Sequence, residues 1–141
     1  MNLEYLARAV DERVHSPAAD RADARLYGVR LGGGADVIDL ELLAEGHARR
    51  IPADVRPPAG LAAIAIASTA WMAPMAEDGS IRTRPSRHPE RRRVSVTLLI
   101  GGEAADDVSV MRYGDGAPSV LTGCVGVVYE RMQRCWARRS R

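Results

Sequence analysis

The chain has 141 residues, of which 46% are hydrophobic and 27% are charged, and its formal net charge at pH 7 is +2. This length suits one domain, and this balance is typical of globular proteins rather than of disordered or fibrous ones. No apolar run reaches the roughly 20 residues that a membrane-spanning helix needs, and the first residues lack the basic and apolar regions of a signal peptide. We therefore expect a single cytoplasmic domain over residues 1–141, with no contact with a membrane.

The N-terminal segment has the spacing of an amphipathic helix. Apolar residues recur at steps of three and four, at Leu3, Leu6, Ala7, Val10 and Val14. Polar residues, among them Asp11, are expected on the opposite, solvent-exposed face. Asn2 is a suitable N-cap, and the helix should end before Ser16-Pro17.

A two-residue period then predicts a β-hairpin from Arg25 to Leu43. Its first strand has Tyr27, Val29 and Leu31 on one face, and its second strand has Ile38, Leu40 and Leu42 on one face. The glycines at 32–34 supply the turn between the strands, because glycine tolerates positive φ. A short helix is predicted next, from about Leu42 to Arg50, ended by Ile51-Pro52.

Four further strands are predicted in the second half of the chain, at Leu61–Trp71, Val94–Ile100, Val108–Tyr113 and Ser119–Leu121. The first of these is apolar on both faces, which is typical of a central strand. The segment Pro74–Glu90 between the first two is predicted to be a long loop, because it contains several proline and glycine breakers.

The last element is predicted to be a helix with Thr122 as its N-cap. Its apolar stripe consists of Val125, Val128, Tyr129, Met132, Cys135 and Trp136. Cys124 and Cys135 fall about three turns apart on this helix, too far for a disulfide, so both are predicted to be free thiols. Together the elements predict an α+β fold: a mainly antiparallel sheet of about five strands, covered on one face by the N- and C-terminal helices.

Basic residues, all of them arginine, are concentrated in two segments of a chain whose remainder is acidic. Residues 80–93 contain six arginines and one acid, and residues 131–141 contain five arginines and no acid. If the two segments meet in space, they could bind a polyanion such as nucleic acid. The candidate residues are Arg82, Arg84, Arg87, Arg91, Arg92, Arg93, Arg134 and Arg138. Against nucleic acid, no aromatic residues alternate with the arginines, and no helix-turn-helix or zinc-finger spacing is present.

A second candidate site is a small-molecule or enzymatic pocket at the end of the Leu61–Trp71 strand. Trp71, Arg87 and His88 would line it, because the loop of residues 84–93 follows that strand. No residue pattern nominates a catalytic group: Gly-x-Ser-x-Gly is absent, and neither cysteine has a neighbouring histidine. No histidine lies at metal-ligand spacing from another ligand, so neither a metal nor a cofactor is predicted.

Two short motifs resemble those of a group of small actinobacterial proteins of unassigned activity. These are Ala70-Trp71-Met72-Ala73-Pro74, and the run Arg84-Pro85-Ser86-Arg87-His88-Pro89 followed by Glu90 and three arginines. The resemblance implies a strand that ends in a tryptophan segment, a loop, and a further strand, and it implies no role for any residue. The favoured functional hypothesis is a non-enzymatic accessory or interaction protein that self-associates through a sheet edge or a helix face, with polyanion binding as the alternative.

Overall fold

The computed structural model describes residues 2–15, 24–33, 37–74, 76–79, 83–114, 116–123 and 126–141. In these residues, six β-strands form one antiparallel sheet. The strands are β1 (Ala24–Leu31), β2 (Ile38–Gly46), β3 (Ala63–Met72), β4 (Arg92–Gly101), β5 (Asp106–Arg112) and β6 (Ser119–Leu121). Their order across the sheet is β2-β1-β3-β4-β5-β6. The helices are α1 (Leu3–Val14), α2 (Ile51–Asp54) and α3 (Val127–Ala137). The α+β class and the antiparallel sheet are therefore confirmed.

The two long helices lie on opposite faces of the sheet. Successive side chains of β3 alternate between the faces, so that Ala63 and Ala65 pack with α1, whereas Ile64 and Ile66 pack with α3. The predicted arrangement, with both helices on one face, is wrong for this reason. Apolar residues on both faces of β3 and β4 need a cover on each side, and the molecule therefore has three layers rather than two.

The central strands approach each other closely where β3 begins and β4 ends. Ala63 pairs with Gly101 across the β3–β4 ladder. A Cβ atom added at Gly101 would lie 2.9 Å from the Ala62 carbonyl oxygen and 3.0 Å from the Ala63 Cβ atom. Glycine at this position therefore allows the two strands to pair up to their last residues.

Helix α1 and the β1–β2 hairpin are found where the periodicity predicts them. The Asn2 side chain accepts a hydrogen bond from the Tyr5 backbone N–H and caps α1 as expected. The hairpin differs from the prediction in two respects: β2 continues to Gly46, and a β-bulge shifts its register between Leu26 and Tyr27. Residues 34–36 of the connecting turn lie outside the described residues.

Two predicted helix boundaries are wrong. Residues 42–46 belong to β2, and the helix that follows, α2, begins at Ile51 with Pro52 in its first turn. Proline in a first turn costs no hydrogen bond, because the N–H groups there have no helical partner, so Pro52 starts this helix rather than ending one. The N-cap of α3 is Gly126 rather than Thr122, and no side chain caps it. Cys124 and Val125 lie outside the described residues.

Candidate anion-binding cleft

Helix α3 packs an apolar stripe against the sheet, and a basic stripe on its other side lies beside α2. Met132, Cys135 and Trp136 are buried against the sheet, and the Trp136 indole Nε1 donates a hydrogen bond to the Gly102 carbonyl oxygen at 2.9 Å. Arg131 and Arg134 lie on the other side of the helix, at a spacing that places them on one face. The same amphipathic pattern that docks the helix therefore arrays its arginines along one side.

These arginines form one wall of an open cleft of about 510 Å³ between α2 and α3. The residues that line it are Arg50, Ala53, Asp54, Arg131, Arg134 and Arg138. Among the described residues, four guanidinium groups thus share a cleft with one carboxylate. Arg134 and Arg138 were among the predicted candidates for polyanion binding, whereas Arg50 and Arg131 were not.

Arg138 frames the cleft by binding the backbone of α2 and of the residue that follows it. Its Nη2 atom donates hydrogen bonds to the carbonyl oxygens of Pro52 at 2.6 Å, Val55 at 3.2 Å and Ala53 at 3.4 Å. The last carbonyl groups of a helix have no partner within the helix, and a guanidinium group can supply one. On the same side of α3, Arg131 Nη1 donates a hydrogen bond to the Arg49 carbonyl oxygen. These contacts hold α2 at a fixed position relative to α3.

The charge of the cleft is not balanced by the protein around it. In the described part of the chain, no carboxylate lies within 4.0 Å of the four guanidinium groups, although exposed ion pairs occur elsewhere. Nor does any described residue form a hydrogen bond with the side chains of Arg50 and Arg134, both of which are exposed. Like charges held together in a cleft repel each other, and an anion bound among them would relieve that repulsion.

A buried thiol lies under the cleft. Cys135 Sγ donates a hydrogen bond to the Val55 carbonyl oxygen at 3.5 Å. Burial raises the pKa of the Cys135 thiol above its ordinary value, and the positive charge of Arg138 offsets part of that increase. A protonated, buried thiol is a packing residue rather than a nucleophile.

The second basic segment lies elsewhere and is divided between the two faces of the sheet. Arg93 shares the α1 face with Trp71, and its guanidinium carbon lies 4.8 Å from the centre of the Trp71 ring, while that of Arg91 lies 5.1 Å from it. Arg92 points to the other face and lies 4.4 Å from the centre of the Tyr113 ring. Consecutive residues of a strand alternate in direction, so the triplet cannot form one patch. Aromatic rings therefore do accompany these arginines, although they are distant in sequence.

In the part of the chain that the structure describes, the two basic segments lie apart. None of the residues that line the cleft comes from positions 83–93. Trp136 fixes the last turn of α3 at the Gly102 end of β4, whereas Arg91–Arg93 lie at the opposite end of that strand, about 30 Å away at the usual rise per residue. Of the remaining candidates, Arg84 and Arg87 are exposed, and Arg82 lies outside the described residues.

The predicted pocket residues Trp71, Arg87 and His88 lie at the end of the sheet where β3 ends, and the 3-10 turn of residues 85–87 contacts β3. The Nδ1 atom of His88 accepts a hydrogen bond from the Glu90 backbone N–H at 3.0 Å, so this ring nitrogen serves the local turn. Arg87 is exposed within the 3-10 turn formed by residues 85–87. A concavity of about 240 Å³ does lie at this end of the sheet, but it is lined by Ala73, Pro74, Glu90, Arg92 and Tyr113.

One buried polar cluster, around Asp11, was not predicted from the sequence. Asp11 is 1% exposed, although helical spacing predicted that it would face solvent. It accepts hydrogen bonds from Thr97 Oγ1 at 2.8 Å and from Arg112 Nε at 2.5 Å. Its partners lie 86 and 101 residues away in the sequence, so no local pattern could reveal them. The cluster joins α1 to β4 and β5 and is too deeply buried to contact a ligand.

Comparison with protein-family models, with curated proteins and with solved structures gives no match to this chain. The resemblance stated above therefore stays a prediction. Among the described residues, no three of the His, Cys, Asp and Glu side chains gather closely enough to hold a metal ion. No helix in this part of the chain is both long and apolar enough to cross a membrane.

Proposed function

We propose that this protein binds phosphate-bearing anions in the cleft between α2 and α3. The observation that carries the proposal is the gathering of four guanidinium groups around one cleft, against a single carboxylate among the described lining residues. The planar guanidinium group donates paired hydrogen bonds to phosphate oxygens, which makes arginine the residue best suited to this class of ligand. The volume of about 510 Å³ is in the usual range for a small-molecule site.

The four arginines have different tasks in this proposal. Arg138 already donates to three carbonyl oxygens, so it orients the cleft and contributes charge. Arg131 is half-buried and donates to one carbonyl oxygen, and its remaining donors can face a ligand. No described residue uses a side-chain donor of Arg50 or Arg134, and these donors can therefore face a ligand. The Arg131 and Arg138 contacts already join the two helices. Ligand binding therefore has to order little of the protein, and the entropy lost on binding is small.

The proposal is tested by calorimetric titration of tripolyphosphate into the wild-type protein and two single variants. Arg134→Gln removes a guanidinium group from the cleft and should weaken binding about 10- to 100-fold, the usual effect of losing a hydrogen bond to a charged group. Arg56→Gln removes the same charge from an exposed residue close to α2 that does not line the cleft. This control should bind within about twofold of wild type, because an exposed charge at a distance is screened by salt. Equal losses in both variants would contradict the proposal.

A salt series separates phosphate binding in the cleft from general attraction. For a single-stranded oligonucleotide that contacts three arginines, the logarithm of affinity should fall with the logarithm of salt with a slope of about −2. Arg134→Gln should reduce this slope by about 0.7, whereas Arg56→Gln should leave it unchanged. A slope that is the same in all three proteins would show that binding does not use the cleft.

Self-association, the hypothesis favoured by the sequence, has weaker support at the sheet edges. The edge strand β2 is interrupted by a β-bulge and has exposed acids at Asp39, Glu41 and Glu45, and the other edge strand, β6, has only three residues. Bulges, charges and short edge strands are the features that prevent strands from pairing between molecules. Exposed apolar side chains on the β1–β2 hairpin, Leu31 and Leu42, favour a partner there instead. Sedimentation at tens of micromolar (about the range in which specific dimers form) tests this, and a single monomeric species would exclude the dimer.

A further inference from the structure

The carboxylate of Asp54 is the one acidic group among the described residues that line the cleft. No described residue forms an ion pair or a hydrogen bond with this carboxylate, although four arginines line the same cleft. Asp54 is exposed, and it is the last residue of the four-residue helix α2. It therefore presents an ionised acceptor to whatever occupies the cleft.

The Asp54 carboxylate cannot bind favourably to a ligand that consists only of phosphate groups. It would repel every phosphate oxygen near it, and a carboxylate can accept hydrogen bonds but cannot donate them. A ligand with hydroxyl groups next to its phosphates would match both parts of the lining. Its phosphates would accept hydrogen bonds from the arginines, and its hydroxyl groups would donate to Asp54.

We infer that the cleft selects compact phosphate esters that carry neighbouring hydroxyl groups, with Arg50, Arg131 and Arg134 on the phosphates and Asp54 as the specificity-determining acceptor. This inference rests on the proposed function, since it assumes that the cleft binds phosphate. Both nucleotides and phosphorylated sugars have the required chemistry. The volume of about 510 Å³ accommodates a ligand of this size, whereas most of a nucleic-acid chain would lie outside it.

Asp54 acts in opposite directions on the two kinds of ligand. Towards tripolyphosphate it contributes only repulsion, so its removal should strengthen binding about threefold or more, as expected for unit charges several ångströms apart in a solvated cleft. Towards a hydroxyl-bearing phosphate ester it contributes a hydrogen bond to a charged acceptor, so its removal should weaken binding about tenfold. A residue with a merely structural role would change both affinities in the same direction.

The experiment measures the affinities of four probes for the wild-type protein and for Asp54→Ala: tripolyphosphate, ATP, 2′,3′-dideoxy-ATP and fructose 1,6-bisphosphate. The wild-type protein should bind ATP about tenfold more tightly than its dideoxy analogue, because the analogue lacks the sugar hydroxyl groups. In Asp54→Ala this preference should disappear while tripolyphosphate binds more tightly. The affinities for ATP and for the sugar bisphosphate then show whether a nucleotide or a phosphorylated sugar fits the cleft better.

Asp39→Ala is the matched control, because it removes an exposed carboxylate from β2 that does not line the cleft. It should leave the preference for ATP over the dideoxy analogue intact. If ATP and its analogue bind the wild-type protein equally while tripolyphosphate binding still depends on Arg134, this inference is overturned and the proposed function stands. An oligonucleotide of about 10 nucleotides that binds far more tightly than ATP would overturn it as well, in favour of a nucleic-acid chain. If no probe binds, both proposals are excluded.

Discussion

Breaking the buried pair of Asp11 and Arg112 by removing one partner should be among the most destabilising single changes in this fold. The Asp11 side chain is 1% exposed and that of Arg112 is 17% exposed, with 2.5 Å between Asp11 Oδ2 and Arg112 Nε. Arg112→Met keeps an apolar stem of similar length but leaves the carboxylate with Thr97 as its one remaining side-chain partner among the described residues. Removing one partner of a buried ion pair costs about 3–5 kcal/mol, because the remaining charge stays away from water. For 141 residues the entropy of unfolding is about 0.3 kcal/mol per degree, so the melting temperature should fall by about 10 to 17 °C.

Thermal unfolding followed by circular dichroism measures this shift, with Arg8→Met as the control. Arg8 forms an ion pair of 3.3 Å with Glu4, but both side chains are about half exposed, and such a pair contributes about 0.5 kcal/mol, or roughly 2 °C. Adding Asp11→Asn to Arg112→Met should restore part of the loss, because an unpaired amide is less costly to bury than an unpaired carboxylate. A fall in melting temperature for Arg112→Met as small as that for Arg8→Met would refute the argument.

Three further predictions concern other regions of the fold. Gly101→Ala should destabilise the protein by about 1–3 kcal/mol, because the new methyl group would lie 2.9 Å from the Ala62 carbonyl oxygen. Urea unfolding measures this, and an unchanged midpoint concentration of urea would show that β3 and β4 can move apart without losing stability. Burial raises the pKa of Cys135 above its ordinary value of 9.0, so above about pH 9 the folded chain holds a proton that the unfolded chain has lost, and stability should fall with rising pH. This additional fall should be absent in Cys135→Ala, and its persistence there would assign it to another group. The triple change of Arg91, Arg92 and Arg93 to Ala should leave tripolyphosphate affinity within about twofold of wild type in calorimetry, and a loss comparable to that of Arg134→Gln would place the phosphate at that end of the sheet.

Regular elements were predictable where one local rule dominates. Helix α1 follows from its apolar spacing and from Asn2, and β4 follows from the alternation of Val94, Val96 and Leu98 with Ser95 and Thr97. The failures occur where two rules compete. Pro52 was interpreted as a helix terminator, although proline is equally suited to the first turn of a helix, and only the extension of β2 to Gly46 decides between the two positions.

The arrangement of the helices could not be predicted in the same way. An apolar stripe shows that α1 and α3 each cover something, but it does not state which face of the sheet each covers. The information was present in β3, whose apolar residues on both faces require a cover on both sides. The position of Asp11 could not be inferred at all, because its partner Arg112 becomes a neighbour only when β5 is placed beside β4.

Counting charges along the chain does not show which arginines lie together in the fold, and the reason is geometric. The run Arg91-Arg92-Arg93 has the highest local charge in the sequence, but a strand directs alternate side chains to opposite faces. The guanidinium groups of these arginines then stack on the neighbouring rings of Trp71 and Tyr113. A helix acts in the opposite way, because residues three or four apart share one face, so Arg131 and Arg134 add to each other although they are separated in sequence. The cleft becomes strongly basic only when α2 brings in Arg50, which lies 81 residues before Arg131 and in neither basic segment. Guanidinium groups can therefore gather where local charge density is moderate, provided that helical spacing and tertiary contact place them together.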